Sequence, residues 1–107
     1  MARAIITVPR TAKRGEIIEL RALIGHIMES GFQTGVDGAI KKRDILRSFT
    51  CSYNGEQVFR AELHPAVSAN PYIAFHTVAT DSGTLTFRWE GDNGFSHTET
   101  AAITVAG

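Results

Sequence analysis

Residues 45–90 read ILRSFTCSYNGEQVFRAELHPAVSANPYIAFHTVATDSGTLTFRWE, and in them strand-like runs and turn signals follow one another without a break. In residues 46–53, Phe49, Cys51 and Tyr53 fall on one side, and Ser48, Thr50 and Ser52 on the other. In residues 84–90, Leu85, Phe87 and Trp89 alternate with Thr84, Thr86, Arg88 and Glu90. Successive side chains of a pleated strand point to opposite faces, so a period of two marks half-buried strands with one apolar side. Residues 58–63 and 71–79 supply two further runs. Asn54-Gly55 provides the positive φ angles of a tight hairpin turn, and Asp81-Ser82-Gly83 marks a second turn.

Upstream of this core, Ala4, Ile6 and Val8 alternate with Ile5 and Thr7 until Pro9, which has no amide hydrogen for a ladder. A short edge strand is predicted there. Residues 11–15 (TAKRG) read as a turn. Ile18, Leu20, Ala22 and Ile24 then face one way and Glu19 and Arg21 the other, which predicts a long strand ending near His26. Residues 27–44 break the alternation with Gly31, Gly35 and Gly38 and close on Lys41-Lys42-Arg43. A loop of that length in a compact domain is more often functional than decorative. His64-Pro65 and Asn70-Pro71 bracket a second loop. After GDNG at 91–94, a closing strand over 95–105 carries Ala101, Ile103 and Val105 inward. About seven strands, closely spaced turns and no helical period predict an all-β fold, a single immunoglobulin-like antiparallel β-sandwich over residues 1–107.

The bulk composition fits that reading. A chain of 107 residues buries about two-thirds of its unfolded surface, enough for one core. No apolar run approaches the roughly 20 residues of a membrane span, so no membrane association is expected. The opening MARAIITVPR has no h-region or cleavage site, and no signal peptide is read there. Residues 1–53 carry nine basic and five acidic side chains, and residues 54–107 carry two and six. Such asymmetry steers charged partners only if it survives folding, and a sandwich interleaves its halves. With an isoelectric point near 6.9, a lone basic triplet does not make a nucleic-acid surface.

Four histidines (His26, His64, His76, His97) and one cysteine make the sharpest chemical alternative, a redox metal site on a β-sandwich. The inventory matches the superoxide-reductase sandwich, but that family's Cys-Asn-x-His run is missing. A blue-copper site needs histidine soon after the cysteine, whereas Cys51 is followed by SYNGEQVFR. Cys51 itself lies between Phe49 and Tyr53 on the apolar side of its strand, where free cysteine acts as a small hydrophobe. The carboxylates are scattered on solvent faces, and no phosphate-cradling glycine loop is present. The residues therefore predict a binding or scaffold domain that is not an enzyme and has no cofactor. An adhesion sandwich would want a row of exposed aromatics and trails.

Particular strings carry a resemblance. Residues 26–31 (HIMESG), 48–55 (SFTCSYNG), 62–65 (ELHP), 68–75 (SANPYIAF), 77–80 (TVAT) and 82–85 (SGTL) together resemble the SoxZ family along the whole chain. One departure is Ile27, which stands where the family's His-Pro-Met-Glu motif has proline. The resemblance implies the scaffold subunit of the SoxYZ sulfur-compound carrier of bacterial thiosulfate oxidation. It would pair with a SoxY-like sister whose glycine-cysteine carboxy-terminal arm carries the sulfur, and through it meet the Sox enzymes. The present chain ends ITVAG, so it is not expected to be the carrying subunit. The family works in the periplasm, and a chain without a signal peptide is expected to be exported bound to its sister. An isolated copy is expected to be able to form a homodimer. The residues chosen for the partner contact are His26, Met28, Glu29 and Phe32 from the long loop, with Asn70, Pro71 and Tyr72 beside the second proline. Burial under the loop competes with that role for Met28 and Phe32, as turn and core packing do for Asn70, Pro71 and Tyr72.

Overall fold

The computed structural model describes residues 3–26, 28, 44–63 and 70–107. Among them are eight strands: β1 (Arg3–Thr7), β2 (Thr11–Lys13), β3 (Ile17–Gly25), β4 (Leu46–Tyr53), β5 (Glu56–Glu62), β6 (Tyr72–Val78), β7 (Gly83–Gly91) and β8 (Ser96–Ala106). A single 3₁₀ turn, Asp92–Gly94, joins β7 to β8. The strands form a β-sandwich of a three-stranded sheet ordered β1-β3-β6 and a five-stranded sheet ordered β2-β8-β7-β4-β5. Each sheet mixes strands from both halves of the sequence, which disperses the charge asymmetry along the chain.

The alternation becomes burial where it was read. Phe49, Cys51, Tyr53, Leu85, Phe87 and Trp89 from the five-stranded sheet meet Ile18, Leu20, Ala22, Ile24 and Phe75 from the three-stranded one. Phe49 is the hub, with ring centroids at 5.1 Å from Trp89, 5.9 Å from Phe75, 6.1 Å from Phe59 and 6.3 Å from Phe87. Phe59 and Phe75 stack at 4.2 Å and join β5 to β6 across the sandwich. Each such pair adds about 0.5–1.5 kcal/mol beyond the area it buries. Trp89 is fully buried, and its Nε1 hydrogen meets no acceptor among the described residues.

One turn was too generously drawn. Thr11–Lys13 is a strand that pairs parallel with Thr104–Ala106 of β8, because Ala12 fits into the core beside it. The five-stranded sheet is therefore mixed rather than wholly antiparallel, and the expected turn shrinks to Arg14 and Gly15, the latter at φ 86°. The other expected turn is as predicted: Asn54 and Gly55 both have positive φ, 50° and 85°, the requirement of a type I′ hairpin. Tyr53 holds the neighbouring β6–β7 turn. Its hydroxyl donates to the Asp81 carbonyl at 2.5 Å and accepts from the Thr80 amide at 3.2 Å.

Candidate functional site

The two outward faces of the sandwich differ in chemistry. On the five-stranded sheet, register places Thr98, Arg88, Thr50 and Arg60 in one row and Thr100, Thr86, Ser52 and Gln57 in the next. That face is polar. On the three-stranded sheet, Ile5, Leu23 and Tyr72 form one row across β1, β3 and β6, and Ile17 and Val78 form another. Ile5, Ile17, Tyr72 and Val78, 55%, 70%, 58% and 46% exposed, are the exposed large hydrophobic residues among those described. All four lie on this one face.

A polar band separates the apolar rows. Thr7, Arg21 and Ala74 are in register, and beside them Glu19 faces His76. Glu19 bridges its neighbours, with Oε1 2.6 Å from Arg21 Nε and Oε2 3.6 Å from His76 Nε2. The hydrogen bond to Glu19, aided by its charge, raises the Arg21 guanidinium further above its already high value. At the β1 end of the face, a shallow recess of about 300 Å³ is lined by Arg3, Ile5, Leu23, Gly25 and Asn70. Apolar rows around a charged centre suit a protein partner, since interfaces bury apolar surface while a few polar contacts fix register.

The residues chosen from sequence divide sharply. Tyr72 lies on the face and Asn70 borders its recess. His26, Met28 and Pro71 are buried instead. His26 Nδ1 accepts the Met28 amide at 3.1 Å, its Nε2 lies 3.5 Å from Asp44 Oδ1, and its ring meets Phe95 edge-on at 5.2 Å. Met28 Sδ accepts the Leu46 amide at 3.2 Å. These contacts tie the end of β3 to the start of β4. Glu29, Phe32 and His64 lie outside the described residues. Ile5, Ile17, Leu23 and Val78 were missed. The signal that finds them is the apolar doublet: Ile5-Ile6, Ile17-Ile18, Leu23-Ile24, Tyr72-Ile73 and Val78-Ala79 each put one member inside and leave the other out.

The metal alternative finds no convergence. Among the described residues no group of three or more His, Cys, Asp or Glu side chains is placed to hold an ion. Cys51 is sealed in the core, His26 is buried at one end, His76 is on the outer face and His97 pairs with Glu99 at 2.9 Å on β8. Burial in apolar surroundings pushes the Cys51 thiol up to about 12, the opposite of a reactive thiolate.

A family model described as sulphur oxidation protein SoxZ matches residues 6–102. No curated protein sequence matches the chain. Solved structures share its fold. A superoxide reductase (neelaredoxin) from Ignicoccus hospitalis is 17% identical with a TM-score of 0.75, over 96% of this chain and 80% of that one. The sulfur carrier protein SoxY from Chlorobium limicola f thiosulfatophilum is 11% identical with a TM-score of 0.64, over 97% and 79%. A CARDB domain from Pyrococcus furiosus is 11% identical with a TM-score of 0.53, over 99% and 94%. At such identities the likeness is one of fold.

Proposed function

This chain belongs to the SoxZ family of sulphur oxidation proteins, and from that premise we propose that it is the non-catalytic half of a sulfur-carrier pair. It docks a SoxY-like sister on the outer face of its three-stranded sheet. The sister bears the reactive cysteine on a glycine-rich carboxy-terminal arm, and the pair presents sulfur intermediates to oxidising enzymes in the periplasm. The observation that carries this reading is the gathering of Ile5, Ile17, Tyr72 and Val78 on one face. An uncovered apolar sheet face of this kind marks a protein contact. The sealed Cys51 agrees with a role in which sulfur chemistry happens on another chain.

The test is co-expression with a sister carrying such an arm, followed by isolation of the complex and titration of face variants. Wild type is expected to form a one-to-one complex, recovered from the periplasmic fraction. Ile17→Lys or Tyr72→Lys is expected to weaken it at least tenfold. A monodisperse chain that ignores the sister would overturn the reading, as would thiosulfate turnover by this chain alone or a stoichiometric iron bound to it.

A further inference from the structure

Of the four strand edges in the described sandwich, three are guarded and one is not. β2 is only three residues long. β1 begins at Arg3 and is followed within two residues by Pro9. β5 carries Glu56, Arg60 and Glu62, and its register with β4 shifts between Cys51 and Ser52, leaving Val58 as the extra residue of a bulge. Short edges, proline, charge and bulges are the usual devices that stop a sheet from adding a foreign strand. β6, Tyr72–Val78, has none of them: YIAFHTV contains no proline, lysine, arginine or carboxylate, and its register with β3 is unbroken.

The position beside β6, which no described strand fills, has a shape. In the constant-type immunoglobulin sandwich the corresponding sheet has four strands, the fourth lying next to the equivalent of β6. Among the described residues no strand takes that place. A recess of about 330 Å³ opens beside the end of β6, lined by Tyr53, Glu56, Val58, Thr77, Val78 and Thr80. Val58, which packs against the core, gives it an apolar wall. The Glu56 carboxylate stands exposed at its rim with no ionic or hydrogen-bonding partner among the described residues.

We infer that β6 is a strand-addition edge, and that the fourth strand is an extended segment of the sister subunit. The segment pairs its backbone with β6, lowers an aliphatic side chain into the recess beside Val58 and sets a lysine or arginine beside Glu56. Main-chain bonds supply affinity in this mode, and the pocket under alternate side chains supplies specificity. The occupant follows from continuity, because β6 also contributes Tyr72, Ala74, His76 and Val78 to the docking face, so one partner reaches both. This inference rests on the sister-docking reading above.

The test is residue-resolved hydrogen exchange on the chain alone and in its complex with the sister, together with titration of three variants. In the complex, every second amide of residues 72–78 is expected to slow at least tenfold, since alternate amides of β6 point away from β3. Face docking without strand addition gives no such alternation. Val58→Trp fills the recess and Glu56→Lys reverses its rim, and neither touches the outer face. Each is expected to lower affinity at least tenfold with far-UV circular dichroism and Tm retained. Should Val58→Trp lose its fold, Glu56→Lys and the exchange pattern decide. If Ile17→Lys weakens the complex while the β6 amides and Glu56→Lys behave as wild type, strand addition is wrong and face docking stands. If no complex forms with wild type, both fall.

Discussion

Asn70 and His26 hold each other by a reciprocal pair of hydrogen bonds: the His26 amide donates to Asn70 Oδ1 at 2.9 Å, and the Asn70 amide donates to the His26 carbonyl at 2.7 Å. The pair closes the ladder between β3 and β6 just beyond its last register partners. Asn70 sits at φ 55°, a left-handed conformation that asparagine tolerates better than most residues. Asn70→Ala removes the acceptor and adds backbone strain, and is expected to cost about 2 kcal/mol in urea unfolding. Asn70→Asp keeps the acceptor and is expected to cost less. Equal stabilities for the three proteins would show that the side-chain bond does not matter.

Gly83 and Asn54 compete for one volume. A Cβ on Gly83 would stand 1.7 Å from Asn54 Oδ1, the oxygen that accepts the Thr84 amide at 2.9 Å. Gly83→Ala is therefore expected to destabilise by about 2 kcal/mol or more. Asn54→Gly empties the space while keeping a residue suited to positive φ, so Gly83→Ala should cost at least about 1 kcal/mol less in that background. Strict additivity of the two changes would refute the clash.

Cys51 is expected to resist iodoacetamide in the folded protein and to react at the rate of global unfolding. Its thiol also links stability to pH. An ordinary value of 9.0 is pushed up to about 12 by burial. Between pH 9 and about 12 the unfolded chain releases this proton while the folded chain keeps it. The thiol's contribution is thus complete below pH 9 and is lost as pH rises through that window. Cys51→Ala is expected to flatten the alkaline fall in stability measured by urea titration. An unchanged slope would place the origin of the fall elsewhere.

Ile17 is 70% exposed, so Ile17→Lys is expected to change stability by no more than about 0.5 kcal/mol. Its effect should be seen in partner binding instead. A parallel loss of Tm would make it a folding residue and remove it from the face.

Trp89 should tolerate phenylalanine unusually well for a fully buried tryptophan. Trp89→Phe vacates volume but also removes an N–H that has no acceptor among the described residues. Leaving a buried donor unpaired costs about 1–3 kcal/mol, which offsets part of the cavity. Chemical denaturation is expected to show a loss below about 2 kcal/mol, and a larger one would mean that the indole N–H is satisfied.

The strands and their inward faces were legible because period-two alternation is a local property. Phe49, Cys51 and Tyr53 had nowhere to go but one side of β4. Pairing is not local: nothing in residues 46–53 says that β7 lies on one flank and β5 on the other. β2 escaped notice because three residues with a single inward alanine carry too little pattern, and its partner is β8 at the far end of the chain. The apolar outer face of the three-stranded sheet escaped for a different reason. In Ile17-Ile18 or Leu23-Ile24, the inward residue satisfies the strand pattern and the outward one passes as ordinary composition. Only the register that sets Ile5, Leu23 and Tyr72 side by side turns scattered side chains into a surface. His26 and Met28 drew attention as the ends of a glycine-bounded loop, and the structure buries both where β3 meets β4.

The depth at which Cys51 lies has a consequence for any complex that ferries activated sulfur. Thiols exchange with persulfides and disulfides through their thiolates. A second accessible sulfur beside the cargo would be a leak, drawing the load off its carrier. Walled in by Phe49, Phe59 and Phe87, Cys51 offers no such sulfur.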